Sequence, residues 1–320
     1  MKYITWLSKN LSLSIPIFLL LGLAAGLTLP TDNLSVLIAP LTLLMVYPMM
    51  VGIKPKQLLV GGDNAVQIWA IVINFMFIPA VAFALGRIFF AEQPELALGL
   101  LLAALLPTSG MTISWTGFAK GNLPAAIKLT LIGLFLGSLL TPFYVKVLLG
   151  SEIPVELGLV FQQILMFIVI PLVAGQATRT FLVRRHGLES FQKKYAPKFP
   201  PLSSLGVLGI VFVAMALKGP DLLESPSLVL RLLVPLLLLY TINYIVSTVI
   251  ARKRFNRGDG IALVYGTVMR NLSIALALSM TAFGEAGAQA ALLIALAYII
   301  QVQSAALYVK FSAKLFPMKE

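Results

Sequence analysis

Gly266-Thr267-Val268-Met269-Arg270-Asn271-Leu272-Ser273 sets an arginine and an asparagine side by side inside an apolar run that covers residues 261–283. An arginine at the centre of a membrane helix costs about 2.5–3.5 kcal/mol on insertion scales. A membrane-spanning chain keeps such a residue for function, so the reading turns on whether this chain spans a membrane. Composition answers that. Of 320 residues, 59% are hydrophobic and 11% charged, against roughly 25% charged in a soluble domain. The expected class is an all-α polytopic membrane protein, with the lipid bilayer as its main partner. Cysteine is absent, which excludes disulfides, thiolate metal sites and thiol chemistry. The net charge of +12 comes from 24 basic and 12 acidic residues. In a soluble chain that would suggest nucleic acid. Here it reads as loop charge that orients the spans, and no nucleic-acid partner is expected. The apolar run behind Lys2 and Lys9 is too long for a cleavable signal peptide and lacks a cleavage motif.

A spanning helix needs about 20 mostly apolar residues. Ten runs qualify: 11–29, 34–53, 66–90, 96–118, 123–149, 156–177, 202–217, 227–250, 261–283 and 288–311. With ten spans, both termini fall on one side. That side collects Lys2, Lys9, Lys54, Lys56, Lys120, Arg179, Arg184, Arg185, Lys193, Lys194, Lys198, Arg252, Lys253, Arg254, Arg257, Lys310, Lys314 and Lys319. The other side holds only Arg87, Lys146, Lys218 and Arg231, and most acids: Asp32, Glu92, Glu95, Glu152, Glu156, Asp221, Glu224 and Glu285. The positive-inside bias predicts an integral plasma (inner) membrane protein with both termini cytoplasmic. Ten divides into two five-helix repeats of inverted topology, about 11–149 and 156–311, in one transporter unit covering 1–320, with a cytoplasmic basic loop at 178–201.

The fourth run is interrupted by Pro107-Thr108-Ser109-Gly110 and the ninth by Gly266-Thr267 and Arg270-Asn271. The third carries Asn74; its counterpart, the eighth, carries Tyr240-Thr241 and Asn243-Tyr244. Interrupted helices in corresponding positions point to a central binding site. A helix broken in the bilayer leaves free N–H groups at one end and free C=O groups at the other. Thr108, Ser109, Thr112, Ser114, Thr130, Asn74, Asn271, Ser273, Gln301 and Gln303 are the polar side chains that could complete a substrate or ion site there. Against this stands the habit of a lone Ser or Thr in a membrane helix to bond its own preceding turn. No acid lies inside any run, so Arg270 has no obvious carboxylate partner at depth. Either its guanidinium bonds the orphan carbonyls of the broken fourth helix as a built-in cation, or its planar fork attracts an anionic substrate. The two roles are compatible. His186 and the cluster at 252–257 read as solvated or headgroup-facing charge.

Two segments resemble the bile acid:sodium symporter superfamily, which includes an arsenite-efflux permease branch. The first runs from Leu106-Pro107-Thr108-Ser109-Gly110-Met111-Thr112-Ile113-Ser114-Trp115 through Phe118-Ala119-Lys120-Gly121-Asn122 to Leu139-Leu140-Thr141-Pro142. The second is Met269-Arg270-Asn271 with Ile274-Ala275-Leu276-Ala277. The resemblance implies a core domain in which helices 4 and 9 cross at their breaks, a panel domain alongside, and alternating access. It also sets out departures. Sodium-dependent members are similar but carry an acid where this chain has Gly266, a glutamine at Arg270, Ser-Asn at Thr112-Ile113 and a glutamine at Asn74; Thr130 is retained. A missing carboxylate and a fixed cation disfavour bound sodium, so no cofactor is expected. The arsenite branch carries a cysteine in the fourth helix that is absent here.

The expected function is secondary active transport of a small, anionic organic solute, with Arg270 as a built-in cation. An arsenite- or antimonite-type efflux permease without the thiol is the alternative, and a channel the next. An intramembrane enzyme is excluded: the spans contain no pair of aspartates, no acidic metal motif and no histidine to serve a serine dyad.

Overall fold

Where lipid is the solvent, a backbone must satisfy its own N–H and C=O groups, and apolar runs without an edge to pair do so as helices. The computed structural model describes residues 2–52, 64–151, 153, 157–224 and 227–317. Lys54, Lys56, Glu152, Glu156 and Lys319, part of the charge asymmetry above, lie outside them. The described chain is helical throughout. In order it forms α1 (Lys2–Lys9), α2 (Leu11–Thr28), α3 (Ile38–Val51), α4 (Asn64–Val72), α5 (Ile78–Phe89), α6 (Pro94–Leu105), α7 (Gly110–Phe118) and α8 (Leu123–Leu149). Then come α9 (Leu157–Ile164), α10 (Ile170–His186), α11 (Leu188–Ser190), α12 (Phe199–Glu224), α13 (Ser227–Arg254), α14 (Arg257–Val268), α15 (Leu272–Ala282) and α16 (Gly284–Leu315). Large apolar side chains face outward along these helices, among them Leu20 (65% exposed), Ile88 (72%) and Val147 (80%). Water would not tolerate so many at once, and lipid does.

The expectation of ten spans in two inverted five-helix repeats is corrected. Among the described residues, seven helices are long and apolar enough to cross a membrane: Asn33–Val51, Asn64–Phe89, Leu123–Leu149, Gly158–His186, Leu188–Leu217, Leu230–Arg254 and Gly284–Leu315. Three further apolar helices are shorter: Leu13–Thr28, Pro94–Leu105 and Leu272–Ala282. The count of ten took the fourth and ninth runs, each interrupted, as single spans, and took the first as a full span although its apolar helix is only Leu13–Thr28. The breaks divide the fourth run into helices of 12 and 9 residues and the ninth into 12 and 11. At about 1.5 Å per residue the longest of these is about 18 Å, well short of a hydrocarbon core of about 30 Å. Seven such helices among the described residues do not divide five plus five.

The chain gathers into two compact units. The first comprises Met1–Ile53, Val155–Val229 and Ser273–Ala295. In it α12 packs against α2 and α3, and α3 against α10. Small residues let these backbones close in, as helices in lipid require. A Cβ on Gly22 would lie 2.5 Å from the Phe212 carbonyl, and one on Gly206 2.6 Å from Met45 Cα. The second unit comprises Lys54–Pro154, Leu230–Leu272 and Leu296–Glu320, and holds both breaks. Its turn at Lys120-Gly121-Asn122 ties α7 and α8 to α14. The Asn122 N–H donates to the Gly258 carbonyl at 2.9 Å, and Asn122 Nδ2 to Asp259 Oδ1 at 2.6 Å. Asn122 Oδ1 also caps α8 through the Ala125 N–H.

Between α4 and α5, residues Ile73–Phe77 form a π turn. Pro79 explains it: proline lacks the N–H that the Phe75 carbonyl would accept in an α-helix, and its ring crowds that carbonyl. The wider turn relieves the clash, and the Tyr144 hydroxyl donates to the freed Phe75 oxygen. Asn74 sits inside this turn.

Candidate functional site

The two breaks meet. Pro107 and Arg270 form an isolated antiparallel bridge: the Thr108 N–H donates to the Met269 carbonyl at 2.7 Å and the Asn271 N–H to the Leu106 carbonyl at 2.7 Å. This pairing pattern asks nothing of the N–H that Pro107 lacks. On the far side of the bridge, Gln301 of α16 acts as a third strand. Its Oε1 accepts from the Arg270 N–H at 2.7 Å and its Nε2 donates to the Arg270 carbonyl at 3.2 Å. The Tyr240 hydroxyl donates to the same Oε1 at 2.9 Å and holds the amide in that orientation.

Thr108 stands at φ +65°, a conformation that costs a β-branched residue about 1–3 kcal/mol. It is held by its bonded N–H and by Oγ1, which donates to the Pro107 carbonyl at 2.7 Å and the Thr130 carbonyl at 3.2 Å.

Carbonyls left over by the broken helices have named partners. At the end of α14, Gly266 accepts from Asn74 Nδ2 at 3.0 Å and Thr267 from Asn243 Nδ2 at 2.8 Å. At the end of α6, the Ala104 carbonyl accepts from Arg270 Nη1 at 3.1 Å, and the same nitrogen donates to Asn74 Oδ1 at 3.0 Å. Arg270 is 3% exposed and Asn74 2%. The guanidinium therefore meets two neutral oxygens through Nη1. Its Nη2 is buried with no hydrogen-bond partner among the described residues.

Of the polar residues singled out in the sequence, Arg270, Asn271, Asn74, Thr108, Thr130 and Gln301 come together at this crossing. The Thr130 hydroxyl bonds back to Ala126 at 2.8 Å, so only its carbonyl serves the bridge. Ser109 and Thr112 cap α7 reciprocally: Ser109 Oγ accepts from the Met111 N–H at 3.2 Å, and Thr112 Oγ1 from the Ser109 N–H at 3.1 Å. Ser114 is exposed on α7, and Gln303 is exposed two residues beyond Gln301, on another face of α16. Ser273 begins the stretch assigned to the other unit. Tyr240, Asn243 and Ser247 take part without having been placed among the site residues. Their spacing of three and four residues puts them on one face of α13, a signal present in the sequence. Ser247 Oγ bonds Asn243 Oδ1 at 3.0 Å and Thr267 Oγ1 at 2.7 Å.

Gln301→Leu leaves the buried N–H and C=O of Arg270 unpaired, at about 1–3 kcal/mol each. Thermal unfolding of the purified protein is expected at clearly lower temperature than wild type, with Gln303→Leu unchanged; equal melting of Gln301→Leu and wild type would refute the pairing.

Long apolar helices with two breaks bridged beside a buried guanidinium mark an integral membrane protein with a polar site in its interior. Residues 39–225, more than half the chain, match the Sodium Bile acid symporter family, and the chain belongs to that family. It is 26% identical over 309 residues to the arsenical-resistance protein Acr3 of Corynebacterium glutamicum, covering 86% of this chain and 82% of that one. To the arsenical-resistance protein Acr3 of Alkaliphilus metalliredigens it is 29% identical over 263 residues, 73% and 72% of the two chains. To sodium/bile acid cotransporter 7 of Danio rerio it is 28% identical over 184 residues, 55% and 52%. The chain is accordingly a secondary transporter of a small solute, related to the arsenical-resistance branch, and not an enzyme.

Proposed function

We propose that the protein moves a small anionic organic solute by alternating access without bound sodium, and that Arg270 serves as a built-in cation. The observation that carries this reading is the pair of oxygens on Arg270 Nη1, where the Asn74 side-chain oxygen and the Ala104 carbonyl receive a cationic donor at 3.0 and 3.1 Å. Oxygens so arranged are what a bound cation asks for, and here a tethered one takes them. The space where a side chain at position 266 would begin is filled by Leu129, whose Cδ1 lies 2.5 Å from an added Cβ. A carboxylate there is replaced by hydrocarbon. A second cation about 4–5 Å from the guanidinium would be repelled by about 4 kcal/mol at an effective dielectric of about 20. Asn74, Thr108, Thr130 and Gln301 form the fixed frame in this reading. Ser109, half-buried at the cap of α7, and Ser114, exposed on α7, are the side chains assigned to the solute. The excess of basic residues in the connections at 178–201 and 252–257 favours a cytoplasmic position for those connections.

The likeness to two arsenical-resistance proteins favours a second reading, a small oxyacid as cargo, handled without a thiol because the chain has no cysteine. A ligand-stabilisation screen with small organic anions, neutral oxyacids and steroid-like acids separates the two. Organic anions are expected to raise the unfolding temperature, and their uptake into proteoliposomes to proceed equally in sodium and choline buffers. Stabilisation by neutral oxyacids alone would favour the second reading, and a saturable sodium requirement would overturn the first.

A further inference from the structure

Arg270 Nη1 is fully engaged by Asn74 and Ala104, whereas Nη2 is buried and unpartnered among the described residues. A small cavity lies against this side chain, lined by Ala103, Leu239, Tyr240, Asn243 and Arg270. Each of these residues is 4% exposed or less. The polar side chains among the lining residues are Tyr240, Asn243 and Arg270. Asn243 Nδ2 gives one hydrogen to the Thr267 carbonyl and has a second; Asn243 Oδ1 is taken by Ser247. The Tyr240 hydrogen goes to Gln301. No carboxylate is among the lining residues. A buried, always-charged guanidinium beside a surplus Asn243 N–H, with no acid among the lining residues to balance it, is half of an ion pair. The free space takes about one water-sized particle. A carboxylate or phosphate group, with three or more heavy atoms, exceeds that space, and a monatomic anion is the ionic occupant nearest to it in size.

We propose that this cavity is a halide site, in which one chloride-sized anion binds Arg270 Nη2 and the second hydrogen of Asn243 Nδ2 and balances the built-in cation. The inference rests on the reading of Arg270 as a fixed cation and extends it: the site that has given up an exchangeable cation gains an exchangeable anion. It also separates the counterion from the cargo, because a solute too large for the cavity must bind elsewhere.

The test uses the purified full chain in detergent and holds the cation constant as choline. Chloride and bromide are expected to raise the unfolding temperature saturably, and gluconate, which is too large for the cavity, to have no effect. Asn243→Ala is expected to raise the half-saturating halide concentration at least about tenfold, the effect of losing one hydrogen bond to a charged group, and Arg270→Gln to abolish the response. Crystals of the wild type grown in bromide are expected to show an anomalous peak beside Nη2, which keeps the test independent of whether either variant folds. Matching melting curves in chloride and gluconate, together with no bromide peak, would overturn the proposal and leave a water molecule as the occupant. Substituting sodium for choline at fixed halide bears on the transport reading alone, so the two claims fail separately.

Discussion

Arg270→Gln is expected to lower solute transport in sodium-free medium by about two orders of magnitude. The substitution removes the cation and both Nη1 hydrogen bonds, to Asn74 Oδ1 and to the Ala104 carbonyl. Hydrogen bonds to a charged group contribute about 1.5–3 kcal/mol each. A glutamine amide is neutral and a bond shorter in reach, so it recovers part of one of them. A net loss of about 3 kcal/mol corresponds to roughly a hundredfold, since about 1.4 kcal/mol is tenfold. The loss falls on the link between the π turn that holds Asn74 and the end of α6, which fixes the crossing. Uptake into proteoliposomes with sodium replaced by choline reads the effect directly. Retention of more than about half the wild-type rate would show that the guanidinium is dispensable.

Gly133→Ala disrupts the crossing from the other side. A Cβ at position 133 of α8 would run into Thr108 Oγ1, with the Pro107 carbonyl at 3.1 Å and Thr108 Cγ2 at 3.2 Å. Thr108 cannot rotate away cheaply, because Oγ1 bonds the Pro107 and Thr130 carbonyls and its φ of +65° leaves few alternatives. Either α8 recedes or the bridge to Met269 opens, at about 1–3 kcal/mol for overpacking alone. The variant is expected to unfold several degrees below wild type and to lose most of its transport activity. Gly158→Ala, where an added Cβ meets nothing within 4 Å, is the control and should match wild type. Equal stability of the two variants would mean that α8 does not press on the break.

Both breaks were legible in the sequence, for different reasons. Pro107-Thr108-Ser109-Gly110 announces an interruption through a missing donor and a cap. Met269-Arg270-Asn271 contains neither proline nor glycine and is betrayed only by polar chemistry at depth. The number of crossing helices was not legible, because run-length in hydropathy does not register a break that leaves the apolar composition intact. The role of Thr108 was equally hidden: nothing about a β-branched residue suggests a left-handed conformation until Met269 and Thr130 are seen to hold it. Gln301 was picked out as polar, but its task is to pair the backbone of Arg270, and strand-like pairing by a side chain leaves no periodic trace. Asn74 was found by type, and its aim was set by Pro79, five residues on, through the π turn. Tyr240 and Asn243 were visible as polar marks. They become interpretable only with Ser247, when the three share one face of α13 against the end of α14.

The most direct measurement of whether Arg270 replaces a bound cation needs no knowledge of the cargo. A ligand that binds only the folded state raises its stability in proportion to RT ln(1 + [L]/Kd). Thermal unfolding of the purified protein is therefore followed in sodium gluconate and in choline gluconate at matched ionic strength over a wide concentration range. A built-in cation predicts superimposable curves for the wild type at every concentration. A saturating rise in unfolding temperature with sodium, absent with choline, would contradict it.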